Sequence, residues 1–404
     1  MGEAQLSVRW APHLVAAGVL TLGLVGDAVM YAVLPASAAT YGLGAVGVAA
    51  VLSVNRFARL ALNPLAARWL ARVGLRRGGV VGALLALFST AGYAVAPGAG
   101  LLLAARLAWG AAFATLRLTV QGYATSDHQR ASRRLGNAAA LQELAPALML
   151  VIGTAALAPL GVRGLFLALA GLAALAIPLA LALPRAPVSH GVAALGAADA
   201  ADAVARRPAP WGPGGFAASV AFGVDGVLMA GIVLALMAAG WAPVAAAQLG
   251  AALLAGRKVG QVLLAPVAGR LGERLGAARV VGASGGVTAL GLSVMALTPL
   301  SGTALVIGAI VAMLAGTVVA TLVPATVGAD GIGERMRQLG WLANARDLGA
   351  AVGAAVGPLL LVGARDALPV SWAFGSAAVL VLIGGAAWRL AAPGAARPAV
   401  GPRA

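Results

Sequence analysis

Cysteine is absent from the 404 residues, and histidine occurs only at His13, His128 and His190. The first absence excludes disulfides and thiolate metal sites, and three scattered imidazoles make no metal cluster. Charge is scarce as well, at 10% of residues, and acids are scarcer than bases, with 12 Asp and Glu against 28 Lys and Arg. What fills the chain instead is 61% hydrophobic residues, at a mean hydropathy of +0.95. Such a composition cannot cover itself with a polar shell in water, so the chain reads as an all-α membrane protein. A bilayer core of about 30 Å needs roughly 20 apolar residues per helix, which leaves space for about twelve spans and no large soluble domain.

Apolar runs place spans near 13–38, 44–67, 78–97, 101–123, 136–160 and 164–184, and a second set near 214–238, 243–269, 279–298, 301–325, 339–363 and 369–390. With both termini cytoplasmic, nineteen of the 28 basic residues fall in cytoplasmic segments, and the outer loops keep only Arg163 and Arg365. The net charge of +16 is then a topology signal of a multi-pass protein of the cell membrane, and it does not point to nucleic acid. The first apolar run is too long for a signal-peptide core of about 7–15 residues and reads as the first span. The expected layout is a six-helix bundle over 1–184, a cytoplasmic linker over 185–213 with Arg206 and Arg207, a second bundle over 214–391, and a tail over 392–404. Part of the linker could form a short surface helix or a flexible tether.

The two halves repeat one another. Asp27 matches Asp225, Pro64 matches Pro266, Arg72-Val73-Gly74 matches Arg274-Leu275-Gly276, Leu135-Gly136 matches Leu339-Gly340, and Glu143 matches Asp347. Six helices duplicated in this way suit a secondary transporter, whose solute binds between the repeats near the middle of the membrane.

One stretch, Gly269 to Arg279, interrupts the apolar sequence as G-R-L-G-E-R-L-G-A-A-R, and a diluted copy lies over Ala67 to Arg77. Gly269, Leu271, Glu273, Arg274 and Gly276 fit the G-x-L-x-[DE]-R-x-G signature of the loop after the second helix of each half in the major facilitator superfamily. The copy keeps Arg72, Gly74, Arg76 and Arg77 but has Ala67, Trp69 and Ala71 in place of the glycine, leucine and acid. Arg106 and Gly110 resemble the superfamily's arginine-plus-glycine pattern on helix 4. With twelve spans and a central linker, the chain resembles a major facilitator transporter over nearly its whole length. The resemblance implies a monomeric carrier without a cofactor, and a gate in which Glu273 and Arg274 latch the two halves in one of their orientations. Ala71 cannot accept a hydrogen bond, so any such latch is lopsided.

Apart from any family, charges inside the spans demand an explanation. Asp27, Arg56, Arg59, Arg106, Arg117, Glu143, Asp225, Arg257, Lys258, Arg346 and Asp347 all fall within them. At about 2.5–3.5 kcal/mol for each charge, leaving them unpaired would cost roughly 30 kcal/mol, so they face one another or water. Seven bases against four acids leave at least three positive charges over, which implies a cavity with excess positive charge. The expected ion pairs are Asp27 with Arg56 or Arg59, and Asp225 with Arg257 or Lys258. Their role is either structural or that of a substrate and proton site. Arg106 and Arg117, close to three turns apart, share a face of helix 4, and helix 10 has no matching base, which puts the positive site on the N-terminal half. Glu143 and Asp347 are candidates to carry a coupling proton in apolar surroundings.

Two soluble-enzyme patterns carry no weight. Gly42, Gly44 and Gly47 match a dinucleotide fingerprint but sit in a turn without a strand, and Gly282-Ala-Ser284-Gly-Gly286 matches a nucleophile elbow inside a span. No enzyme is expected. The run Gly349, Gly353, Gly357, Pro358 is similar to the exporters' glycine-proline signature but lies on helix 11, while helix 5 has only Ala145-Pro146. The surplus of bases favours an anionic or zwitterionic solute, a metabolite, metallophore or drug, exported by a proton-coupled antiporter. Proton-coupled uptake of an organic anion is the alternative, and a membrane enzyme or a receptor is more remote.

Overall fold

Glycines that turn the chain between long apolar helices set the frame of the molecule. The computed structural model describes residues 11–96, 98–185, 213–299, 301–327, 331–361 and 368–391. The expected linker with Arg206, Arg207 and His190, the tail, and Arg365 lie outside these described residues. The first half contains α1 (Pro12–Ala36), α2 (Ala45–Val73), α3 (Leu75–Val95), α4 (Ala99–Ala124), α5 (Ala131–Ala174) and α6 (Ala176–Leu181). The second contains α7 (Pro213–Ala238), α8 (Pro243–Leu275), α9 (Ala277–Met295), α10 (Gly302–Leu322), α11 (Ile332–Leu361) and α12 (Leu368–Ala391). Within α5, Gly161 at φ 63° breaks the helix, so 131–160 and 162–181 are separate spans joined without a loop. Counted so, each half is a bundle of six helices, and the architecture is the expected all-α one.

Among the described residues, nine helices are long and apolar enough to cross a membrane by length and composition. The three spans left out are α2, the first part of α5 and α11. These carry Arg56 and Arg59, Glu143, and Arg346 with Asp347, so the candidate site residues themselves depress their hydropathy.

The signature stretch is not a loop. α8 stays helical through Leu275, and Gly276 at φ 89° makes the whole turn into α9; Gly74 at φ 87° does the same between α2 and α3. Side chains other than glycine rarely adopt that backbone, which explains why both copies end on glycine. Arg72 and Arg274 stand in the last turn of their helices, where unpaired carbonyls favour a cation. This end of the bundle is called the motif end below. There the halves close on each other: Ala67, Leu70, Leu75 and Tyr123 of the first half share one buried cluster with Met336 and Leu339 of the second.

Candidate functional site

All eleven expected intramembrane charges lie on the helices described: Asp27 on α1, Arg56 and Arg59 on α2, Arg106 and Arg117 on α4, Glu143 on α5, Asp225 on α7, Arg257 and Lys258 on α8, Arg346 and Asp347 on α11. The four acids each take one base, but not always the expected one. Asp27 pairs with Arg106 and not with Arg56 or Arg59. The reason is access. Gly110, one turn from Arg106, lets α4 close on α2, where an added Cβ would stand 3.2 Å from the carbonyl oxygen of Asn55. Fully buried Arg106 then donates to the Val51 carbonyl at 3.1 Å and to the Tyr93 and Tyr31 hydroxyls at 3.2 Å each, besides Asp27. All its donors being engaged, Arg106 is part of the first half's core and does not share an open face with Arg117.

In the second half Asp225 pairs with Arg257 at 2.6 Å, one of the two expected forms. The other two pairs cross between the halves. Arg59 meets Asp347 through Nε at 2.9 Å and Nη2 at 3.2 Å, and Asn63 donates to the same carboxylate at 3.0 Å. Lys258 Nζ meets Glu143 Oε2 at 2.5 Å. Neither Glu143 nor Asp347 therefore sits in purely apolar surroundings; each rests on a cation of the opposite half. Arg59 cannot serve Asp27 because it lies about one turn further along α2 than Arg56, where the neighbour is α11.

Three bases remain. Arg56, Arg117 and Arg346 have no carboxylate within ion-pair distance among the described residues. They gather on aromatic faces. The guanidinium carbons of Arg59, Arg117 and Arg346 stand 4.8, 5.7 and 5.8 Å from the centre of the Phe113 ring. Arg346 lies also 5.5 Å from the Phe222 ring, and Arg56 lies 5.9 Å from that of Tyr31. A ring face offsets part of the cost of a buried cation, by about 0.5–2 kcal/mol, without neutralising it. Phe113 is on α4, Phe222 on α7 and Arg346 on α11, so the positive site lies between the halves and not on the N-terminal half alone.

Beside this cluster a narrow cleft, about 210 Å³ with its open mouth, is lined by Arg117, Gln121, Phe222, Leu342 and Arg346. Gln121 Oε1 is buried there without a hydrogen-bond partner among the described residues, and so, elsewhere on α11, is Asn344 Oδ1. Phe113 and Gln121 were missed by a reading that looked for charge alone. Their signal was spacing: Phe113, Arg117 and Gln121 follow each other at four-residue steps and share one face of α4.

The signature motif closes the motif end differently from expectation. Glu273 and Arg274 are exposed, and neither makes an ion pair or side-chain hydrogen bond among the described residues, so no ionic latch is formed here. Its glycines make the contact. A Cβ on Gly269 would lie 2.7 Å from the Ser132 carbonyl of α5, and one on Gly272 would lie 2.9 Å from the Ser132 side chain. In the diluted copy Ala67 packs against Gly340 of α11, and Ala71, one turn further along α2, packs on the cluster that the first half shares with Met336 and Leu339 of α11. Of the copy's remaining residues, Arg72 and Arg77 are exposed, and Arg76 is half-buried. On α11, Gly349 and Gly353 meet the backbones of Ser219 and Gly223 on α7, which is close packing within the second half.

No protein-family model and no curated protein matches the sequence. Solved structures do match. The chain is similar to the major facilitator transporter FucP in its outward conformation, with TM-score 0.75 and 14% identity, over 94% of this chain and 98% of that one. A point-mutant form of the E. coli fucose:proton symporter FucP matches with TM-score 0.73 and 13% identity over the same shares. The human organic anion transporter MFSD10 (TETRAN) matches with TM-score 0.69 and 16% identity, again over 94% and 98%. Twelve spans in two related bundles, closed on each other at the motif end around buried inter-half ion pairs, make this the fold of the major facilitator superfamily.

Proposed function

We propose that the chain is a member of that superfamily and a carrier, not an enzyme, which moves a small organic anion or zwitterion across the cell membrane by alternating access. The observation that supports this reading is the surplus of bases: half-buried Arg56, Arg117 and Arg346 have no carboxylate within ion-pair distance among the described residues, and two of them line a cleft between the halves. Half-buried cations held only by aromatic faces remain un-neutralised until an anion or water meets them. A carboxylate-bearing solute held by Arg117 and Arg346, with Gln121 Oε1 accepting from a hydroxyl or amine, satisfies all three groups. That a structural neighbour is an organic anion transporter agrees with this chemistry.

The motif end carries Arg68, Arg72, Arg76, Arg77, Arg270 and Arg274, so it faces the cytoplasm by the positive-inside rule, and the arrangement described is closed to the cytoplasm. Glu143 is the proposed proton carrier. Of the two inter-half pairs its own is the more accessible, with Lys258 34% and Glu143 18% exposed, and protonation would release Lys258 and untie α5 from α8. The proposed direction is export in exchange for protons. Uptake is the second reading, favoured by the likeness to a fucose:proton symporter.

Inside-out membrane vesicles with an acid lumen decide between them. Exchange predicts accumulation of a radiolabelled carboxylate in the lumen, and symport predicts its loss. Glu143→Gln should abolish accumulation while leaving solute-for-solute exchange intact; full accumulation by that variant would refute Glu143 as the carrier.

A further inference from the structure

The second half holds an apolar crevice that the arginine cluster does not touch. It runs between α7, α9, α10 and α12 on the motif side and measures about 520 Å³ with its mouth. Gly282 and Gly285 of α9, Gly316 of α10 and Gly385 of α12 line it, and a Cβ on any of them would meet no atom within 4 Å. Helix interiors of packed proteins seldom leave such space. The first half shows how it is normally filled. On α3, the counterpart of α9, a Cβ on Gly79 would lie 2.7 Å from Leu183 and one on Gly82 2.6 Å from Leu116. Leucines occupy the first half's glycine surface; among the described residues nothing occupies the surface of Gly282, Gly285, Gly316 and Gly385.

A second observation points to a ligand. Trp388 lines the same crevice, is 8% exposed, and its indole Nε1 has no acceptor among the described residues. A buried indole N–H almost always finds a partner. The surroundings say what can supply it. On the same helices Val287, Leu382 and Ile383 are exposed, as lipid-facing side chains are, and Trp388 stands near the end of its span, at the depth where tryptophan meets lipid headgroups. The lining offers no charge, so the solute proposed for the arginine cluster does not suit it.

We propose that one acyl chain of a bilayer phospholipid occupies this crevice, with its ester carbonyl accepting the Trp388 indole N–H. The chain then completes, by van der Waals contact within the bilayer, the packing that Leu116 and Leu183 complete in the first half. The seat lies against α7 and α10, two helices that also border the central cleft through Phe222 and Ala320.

The test uses full-length protein in vesicles of phosphatidylglycerol with one brominated chain, against unbrominated vesicles. The signal is the tryptophan fluorescence of wild type minus that of Trp388→Phe. Bromine on the seated chain should remove most of this difference signal. Gly285→Leu, which fills the crevice with a better helix former, should restore it while keeping Trp388; Gly316→Leu repeats the test from the opposite wall should the first variant fold poorly. An unquenched Trp388 would overturn the proposal, and so would equal quenching in the filled variants, which would mean ordinary contact with surrounding lipid. Quenching confined to vesicles doped with a brominated free fatty acid would overturn the phospholipid assignment.

Discussion

The α2–α11 and α5–α8 seams are the same contact built twice, once from each half, yet they hold by different means. At α2–α11 the ionic part is strong: a two-pronged guanidinium and Asn63 on one buried carboxylate. Its backbone approach is looser, with Ala67 against Gly340. At α5–α8 the ionic part is a single, partly exposed ammonium contact, and the backbone approach is tighter: Gly136 of α5 meets the backbone of Ala265 and Gly269 on α8. The two seams share a geometry and differ in whether charge or packing does more of the holding. One proton on Glu143 undoes the ionic part of the second seam. The first seam has no single contact of that kind, because three hydrogen bonds converge on Asp347.

The largest effect should come from breaking the charged seam. Asp347→Asn leaves Arg59 beside Arg346 without a counter-charge and should cost about 3–5 kcal/mol, read as a fall in Tm of the purified protein. Adding Arg59→Gln should return part of it; a double variant as unstable as the two losses combined would mean the pair is not the source. Gly136→Ala should come next, at about 1–3 kcal/mol, since the new methyl meets the Ala265 carbonyl. It should also open the motif end, raising the labelling rate of Gln121→Cys, a single thiol in this cysteine-free chain. Glu143→Gln should raise that labelling too but cost only about 1 kcal/mol, because water screens its partner. The smallest change is Ala67→Gly, which gives the first seam the glycine of the second at a helix cost of about 1 kcal/mol and should leave the labelling rate unchanged. A large opening by Ala67→Gly would erase the distinction between the seams.

Much of this was legible in the residues. Composition settled the membrane class, apolar runs found the spans, and matched landmarks such as Glu143 and Asp347 pointed to two halves of like layout. The surplus of three bases followed from simple counting and matches Arg56, Arg117 and Arg346. Partner choice was not legible. An arginine side chain reaches across to any neighbouring helix, and which neighbour faces it depends on helix rotation, which is set by packing at positions such as Gly110 and not by spacing along α2. The extent of α8 was missed for a related reason: polar residues Arg270, Glu273 and Arg274 suggested a loop, although a helix leaving the bilayer bears such residues on its exposed last turns. Aromatic platforms for cations, here Phe113 and Phe222, escape any inventory of charge.

The arginine cluster as an anion site is tested most directly by ligand-induced stabilisation of the purified protein, since a solute that binds the native state raises its Tm by mass action. A panel of carboxylates, with neutral and cationic analogues of the same size, should raise the Tm of the wild type only where a carboxylate is present. Arg346→Gln should lose that rise, with affinity falling at least about tenfold for the roughly 1.5–3 kcal/mol of a charged hydrogen bond. Stabilisation by the cationic analogues, or by carboxylates equally in Arg346→Gln, would contradict it.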